Sequence, residues 1–154
     1  MQWLIDIVTN KILVAGVTSW LIAQVVKAIL YAIMNKKINW SRLFGDGGMP
    51  SGHSATVVAV ATMTALTQGL GSAAFAISMI LAIVVCHDAM GVRQETGKQA
   101  RMLNELTKMV EILSANELPE VKLKEFVGHT PLQVYAGATL GVLNALVQYF
   151  VIFK

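Results

Sequence analysis

Three polar clusters, two of them carrying a glycine-flanked histidine, stand where apolar runs begin or end. The first is Gly47-Gly48-Met49-Pro50-Ser51-Gly52-His53-Ser54. The second is His87-Asp88-Ala89-Met90-Gly91-Val92-Arg93, running on to Gly97-Lys98-Gln99-Ala100-Arg101, and the third is Gly128-His129-Thr130-Pro131. Lys27 and Arg42 lie toward the same end of the chain's apolar runs. Helix N-termini present open amide N–H groups and the positive end of the helix dipole, which suits an anion. Glycine lets the backbone approach that anion closely, and Lys or Arg adds charge-assisted hydrogen bonds to its oxygens. Two histidines at such a point can attack phosphorus and protonate a leaving oxygen. The chemistry these residues suit is phosphate binding and phosphoryl transfer. Asp88 beside Gly91 and Arg93 fits either a structural ion pair or a catalytic role. Successive helical residues point in different directions, so Cys86-His87-Asp88 is a poor chelate and no metal centre is expected there.

These clusters need elements to hold them. Of 154 residues, 55% are hydrophobic and 14% charged, with a mean hydropathy of +0.61. Soluble domains carry about 25% charged residues, and a disordered chain needs more charge still. One cysteine, Cys86, excludes an intrachain disulfide framework. The net charge of +3 is small for a nucleic-acid binder. One compact integral membrane domain over residues 1–154 is the class that remains. The N-terminus, MQWLIDIVTN, lacks a basic region and a small-residue cleavage site, and so does not read as a removable signal peptide.

A spanning helix needs about 20 mostly apolar residues. Residues 12–34 supply one, in which Gln24, Lys27 and Tyr31 share a helix face that should turn toward protein. The uncharged run 54–86 is 33 residues, about 50 Å as a helix, against a hydrocarbon core of about 30 Å. Gln68-Gly69-Leu70-Gly71-Ser72 places a turn in its middle. Two short helices are expected, 51–68 and 72–87, both rich in Ala, Ser and Thr and so able to pack closely in lipid. The last span is 131–153, where Gly137 and Gly141 form a small-xxx-small pair. The expected fold is therefore all-α: a compact bundle of about four transmembrane helices plus one amphipathic helix.

That amphipathic helix falls in the polar segment 91–128, where Leu103, Leu106, Val110 and Leu113 repeat at helical spacing. Packing within its own fold is the plain expectation; the membrane surface and a second subunit, making a homo-oligomer, are the alternatives. Lys36, Lys37, Arg42, Arg93, Lys98, Arg101, Lys108, Lys122 and Lys124 fall on one side of a four-span bundle, Lys11 and Lys154 on the other. Positive loops stay inside, so the loop side, with all three clusters, is expected to be cytoplasmic. Lys108, Lys122 and Lys124 suit a solvated face or contacts to anionic headgroups of membrane lipids.

Pro50-Ser51-Gly52-His53 resembles the central motif of the type-2 phosphatidic acid phosphatase superfamily, which includes vanadium-dependent haloperoxidases. Gly128-His129-Thr130-Pro131-Leu132-Gln133-Val134 resembles its last motif. The ordered set GGMPSGHSA, DAMGVRQETGKQA with LN, and GHTPLQV is similar to the divergent, short bacterial branch, over about residues 24–141. The resemblance implies an inner-membrane, metal-independent lipid phosphatase without a cofactor, working through a phosphohistidine. It implies His129 as nucleophile and His53 as general acid, with Ser51 and the Gly52 amide holding the phosphate. Lys27 or Arg42 would stand for the basic residues of the first motif, and Arg93 and Lys98 for the arginine of the last.

Two positions depart from the superfamily pattern. Leu123 stands six residues before His129, where an arginine is usual, and Gln133 stands four after it, where a carboxylate is usual. A carboxylate orients the imidazole and stabilises its cation; an amide oxygen accepts the same hydrogen bond without the charge, and Asp88 or Glu125 can supply it instead. Thr130-Pro131-Leu132-Gln133 also fits a helix-capping box. His53 can equally be a polar cap, and Lys27 can snorkel to the interface. The leading expectation is a lipid-phosphate phosphatase whose substrate enters sideways from the bilayer. A cytoplasmic site would favour a lipid phosphate made on the inner leaflet, an outward one a polyprenyl diphosphate. The rival is a non-catalytic membrane protein, a transporter or assembly subunit, that binds anionic lipid or phosphate.

Overall fold

The computed structural model describes residues 1–36, 48–114, 123 and 128–153, the side chains of 92–94, 111, 113 and 114 excepted. Six α-helices follow in order: α1 (Gln2–Thr9), α2 (Lys11–Asn35), α3 (Gly52–Gln68), α4 (Ala73–Met90), α5 (Val92–Ser114) and α6 (Pro131–Val147), the last running into a π-helical turn, Gln148–Ile152. The described residues contain no strand. Each inner helix starts on a short polar side chain that accepts its first amides. Asn10 takes those of Ile12 and Leu13, at 3.0 and 3.2 Å. Ser51 takes that of Ser54 at 3.3 Å, and Ser72 that of Phe75 at 3.1 Å. Gly69, at φ +84°, makes the expected turn between α3 and α4.

The buried and exposed side chains are inverted relative to a water-soluble bundle. The core is small or polar: Ala15, Ala23, Ala55, Ala59, Ala145, Ser19, Ser51 and Ser54, with Met63 the largest fully buried side chain. The exposed side chains of α2, α4 and α6 are large and apolar, among them Val17, Leu21, Ile29, Ile77, Ile80, Ile83, Leu132 and Leu143. In lipid the hydrophobic effect does not drive helices together, so small residues that allow close approach hold the interfaces. Among the described residues, three helical stretches are long and apolar enough to cross a membrane: Lys11–Asn35, Ala73–Val110 and Pro131–Ile152. They cover three of the four expected spans; the remaining one, α3, has 17 residues and is about 26 Å long, at the lower end of the spanning range.

Central helix α3 packs against α2, α4 and α6. A Cβ on Gly137 would fall onto the Ser51 carbonyl oxygen, and one on Gly141 onto that of Ala55. The glycine pair seen in the sequence is therefore the α3–α6 contact, made at backbone distance. Farther along, Asn144 donates to Ser19 Oγ (2.7 Å) and Thr18 Oγ1 (3.0 Å), tying α6 to α2 with hydrogen bonds that lipid cannot compete for.

Three features differ from expectation. The short helix α1 precedes the first span. Helix α4 runs to Met90, three residues past the expected end, and α5 starts directly beyond Gly91. On α5 the expected packing of Leu103, Leu106 and Val110 within the fold does not occur: they are 51%, 51% and 48% exposed. The helix departs from the end of α4, and its buried positions are Gly97 and Ala100 instead. Leu113 lies outside the described side chains.

Candidate active site

Local hydrogen bonding joins the three clusters. The His129 amide donates to the carbonyl of Ala89, in the last turn of α4, at 2.9 Å. The Ser51 amide, at the start of α3, donates to the carbonyl of Gln133, in the first turn of α6, at 2.9 Å. The starts of α3 and α6 and the end of α4 are thus pinned together through their backbones. The His53 and His129 rings then stand edge to face, with centroids 6.1 Å apart. His129 is 4% exposed, whereas His53 is half-buried.

Gln133 serves the cap and the histidine with one oxygen. Its Oε1 accepts the Thr130 amide at 3.1 Å, and the Thr130 hydroxyl oxygen accepts the Gln133 amide at 3.4 Å, completing the capping box. The Thr130 N–H fixes which end of the amide faces it. The same Oε1 lies 3.1 Å from His129 Nδ1. An amide oxygen only accepts, so Nδ1 donates to it and Nε2 is the nitrogen turned away from Gln133. A nucleophilic histidine needs this orientation, and Gln133 supplies it without a charge of its own.

Around the pair, the start of α3 offers amide donors. Ser54 gives its amide and its hydroxyl to Ser51 Oγ (3.3 and 3.0 Å), and Ala55 gives its amide to the Ser51 carbonyl (3.1 Å). Among the described residues the Gly52 amide, in the first turn of α3, has no backbone acceptor. Ser51 itself is wholly buried and works as the cap of α3. Lys27 is 6% exposed, so it does not snorkel out. Its stem lies on the loop before α3: a Cβ built on Gly48 falls 3.3 Å from Lys27 Cγ and 3.4 Å from Cδ. Gly48 has φ +87°, a conformation that favours glycine, and an added Cβ would press on that stem.

The remaining candidates are dispersed. Asp88 is half-buried in the last turn of α4, next to Ala89, which holds His129. Lys98 is exposed on α5 and pairs with Glu95 at 2.6 Å. Arg42 and Glu125 lie outside the described residues, as does the side chain of Arg93. Leu123 is exposed, and its amide and carbonyl both bond the Asn104 side chain of α5 at 3.0 Å. No group of three or more metal-ligating side chains occurs among the described residues.

Two residues escaped sequence reasoning as parts of this site. Trp20 packs on the start of α3, its Cδ1 3.3 Å from a Cβ built on Gly52. Gln24 is buried with its Nε2 3.8 Å from the same point, and its Oε1 has no hydrogen-bond partner among the described residues. Gln24 shares a helix face with Lys27, which was the available signal; nothing in the spacing of Trp20 marks it.

The clusters lie within a region shared with known proteins. The family described as "Divergent PAP2 family" matches residues 8–144, which include all three clusters. The chain is also 38% identical to a Bacillus subtilis (strain 168) protein called "Uncharacterized membrane protein YuiD", over 94% of this chain and 98% of that one. No solved structure matches it.

Proposed function

Because the chain belongs to the divergent PAP2 family, we propose that this membrane protein is a phosphatase that hydrolyses a lipid phosphate monoester or diphosphate through a phosphohistidine. One observation carries the reading: His129, oriented by Gln133 Oε1 at 3.1 Å from Nδ1, faces His53 with ring centroids 6.1 Å apart. His129 Nε2 attacks phosphorus, and the phosphorus–oxygen bond to the lipid breaks. His53, as imidazolium, gives its proton to the leaving alkoxide. Neutral His53 then takes a proton from water, which cleaves the phosphorus–nitrogen bond and releases phosphate. The Gly52 amide and the positive end of α3 offset the charge on the phosphoryl oxygens, with Lys27 the buried cation of the same end. Binding of anionic lipid without turnover is the second reading, and the neutral Gln133 favours it.

Phosphate release from a panel of lipid phosphates, by the purified chain without added metal, separates the two. Release from at least one member is the expected result; headgroup binding with no release from any would establish the second reading. For orientation, the nine cations on the site side support a site on the cytoplasmic face of a bacterial inner membrane. A cysteine at position 102 of α5, with Cys86 replaced, is expected to resist an impermeant thiol reagent in intact cells. Ready labelling would reverse that orientation.

A further inference from the structure

A groove of about 400 Å³ opens beside His53, between α2 and α4 and over α3. Val17 and Trp20 line it from α2, His53, Thr56 and Val57 from α3, and Val85 from α4. We propose that this groove holds the apolar chain of the substrate, so that His53 faces the leaving oxygen and His129 the phosphate. The proposal rests on the phosphatase reading and adds to it the class of lipid.

The walls supply the reasons. Thr56 spends its hydroxyl proton on the Gly52 carbonyl at 2.8 Å, so it presents mainly its methyl group. His53 is then the one wall with a titratable group, and it stands at the end of the groove where α3 begins. Val17 is 56% and Trp20 37% exposed on the lipid-facing side of α2, so the groove is continuous with the apolar outer surface. His129, on the other side of the pair, does not line it. A chain entering from the bilayer meets His53 first, and the phosphate it carries lies beyond, toward His129 and the Gly52 amide. From His53 to Val57 is one helical turn, about 6 Å, enough for the first few carbons next to the ester oxygen. Those carbons must be apolar and slender. The two ester carbonyls of a diacylglycerol phosphate would find at most one donor beside His53 there, the Trp20 indole N–H, and a buried acceptor left unpaired is costly. The groove therefore selects a lipid whose hydrocarbon chain is joined directly to the phosphate oxygen.

The test uses the full chain in detergent with butyl, dodecyl and p-nitrophenyl phosphates and a dioleoyl phosphatidate. The expected kcat/KM for dodecyl phosphate is at least about tenfold that for butyl phosphate or phosphatidate, the scale of discrimination an apolar pocket provides. Val17→Phe and, from the opposite wall, Val85→Phe are each expected to bring the dodecyl-to-butyl ratio close to one. In a single turnover, before the phosphohistidine is hydrolysed, His53→Asn should release no alcohol from the alkyl phosphates yet still release p-nitrophenol from p-nitrophenyl phosphate, whose leaving group needs no proton. Preference for phosphatidate, an unchanged ratio in both Phe variants, or equal loss of all esters in that single turnover would overturn the proposal while leaving phosphatase activity established. If the wild-type chain releases phosphate from none of these, the phosphatase reading fails and the groove is read by binding. Chain-brominated dodecyl phosphate should then quench Trp20 in a Trp3→Phe, Trp40→Phe background, and Val85→Phe should abolish that quenching; equal quenching in both overturns the groove.

Discussion

Replacing His129 with alanine is expected to lower lipid-phosphate turnover by about ten-thousandfold or more and to abolish trapping of a phosphorylated chain. The magnitude follows from the role. A group that forms the covalent bond has no substitute in the site, and removing such nucleophiles elsewhere costs up to about a millionfold in kcat. Position 129 is 4% exposed, so the alanine leaves a buried space in place of the attacking nitrogen. Its partner gives a graded version of the experiment. Gln133→Leu removes the acceptor that keeps Nδ1 protonated, and because Gln133 does not touch substrate the loss should appear in kcat, about a hundredfold, with KM little changed. Thr130→Ala removes the helix cap, worth about 1 kcal/mol, but leaves the imidazole its partner, so kcat should change far less. Gln133→Glu keeps both acceptor contacts and adds the charge that stabilises the imidazolium, and is expected to match or exceed wild type. Wild-type turnover in His129→Ala would eliminate the proposed nucleophile outright.

The second large effect is structural and lies one to two turns away. Gly137→Ala should destabilise the chain by about 1–3 kcal/mol, the usual cost of overpacking, and should also depress turnover although residue 137 meets no substrate. The new Cβ would fall onto the Ser51 carbonyl oxygen. Backbone cannot rotate away as a side chain can, so α3 and α6 must part. Parting them breaks the 2.9 Å bond from the Ser51 amide to Gln133 and displaces His53 from His129. Gly16→Ala is the control, because its Cβ would meet the end of a side chain, Val60 Cγ2, at 2.8 Å, which can give way. A thermal-unfolding midpoint and a turnover rate measured on both variants check this. A Gly137→Ala chain as stable and as active as wild type would mean that the close α3–α6 crossing does not hold the site.

Much of the local structure was legible because its determinants act within a turn of the chain. Ser51, Ser72 and Thr130 announce helix starts, Gly69 the turn after α3, and Thr130-Pro131-Leu132-Gln133 the capping box, and all five are found. Where the reading failed, the deciding term was not local. Helix α5 has the spacing of an amphipathic helix, but spacing does not say what covers the apolar face, and Leu103, Leu106 and Val110 stay exposed. The count of four spans rested on apolar composition, and three of the four meet it by length as well, while α3 at 17 residues sits at the lower end of the spanning range. Lys27 could be placed on a helix face but not assigned between snorkelling and burial, because the loop carrying Gly48 that covers its stem belongs to another part of the chain.

The same division runs through the candidate site. Residue types and near-neighbour spacing were enough to mark two histidines, the glycines before two helices and a family of phosphate chemistry, since phosphate binding draws on amide ends and cations that a single turn displays. His53 and His129 are nevertheless 76 positions apart (129 − 53), and no periodicity relates them. Their meeting depends on α3 and α6 crossing at backbone distance over Gly137 and Gly141. The double use of Gln133 Oε1 depends on where that crossing leaves the imidazole, and the groove beside His53 on how α2 and α4 flank α3. Distances between helices are set by side chains packing from remote parts of the chain, so they appear only once the bundle is assembled.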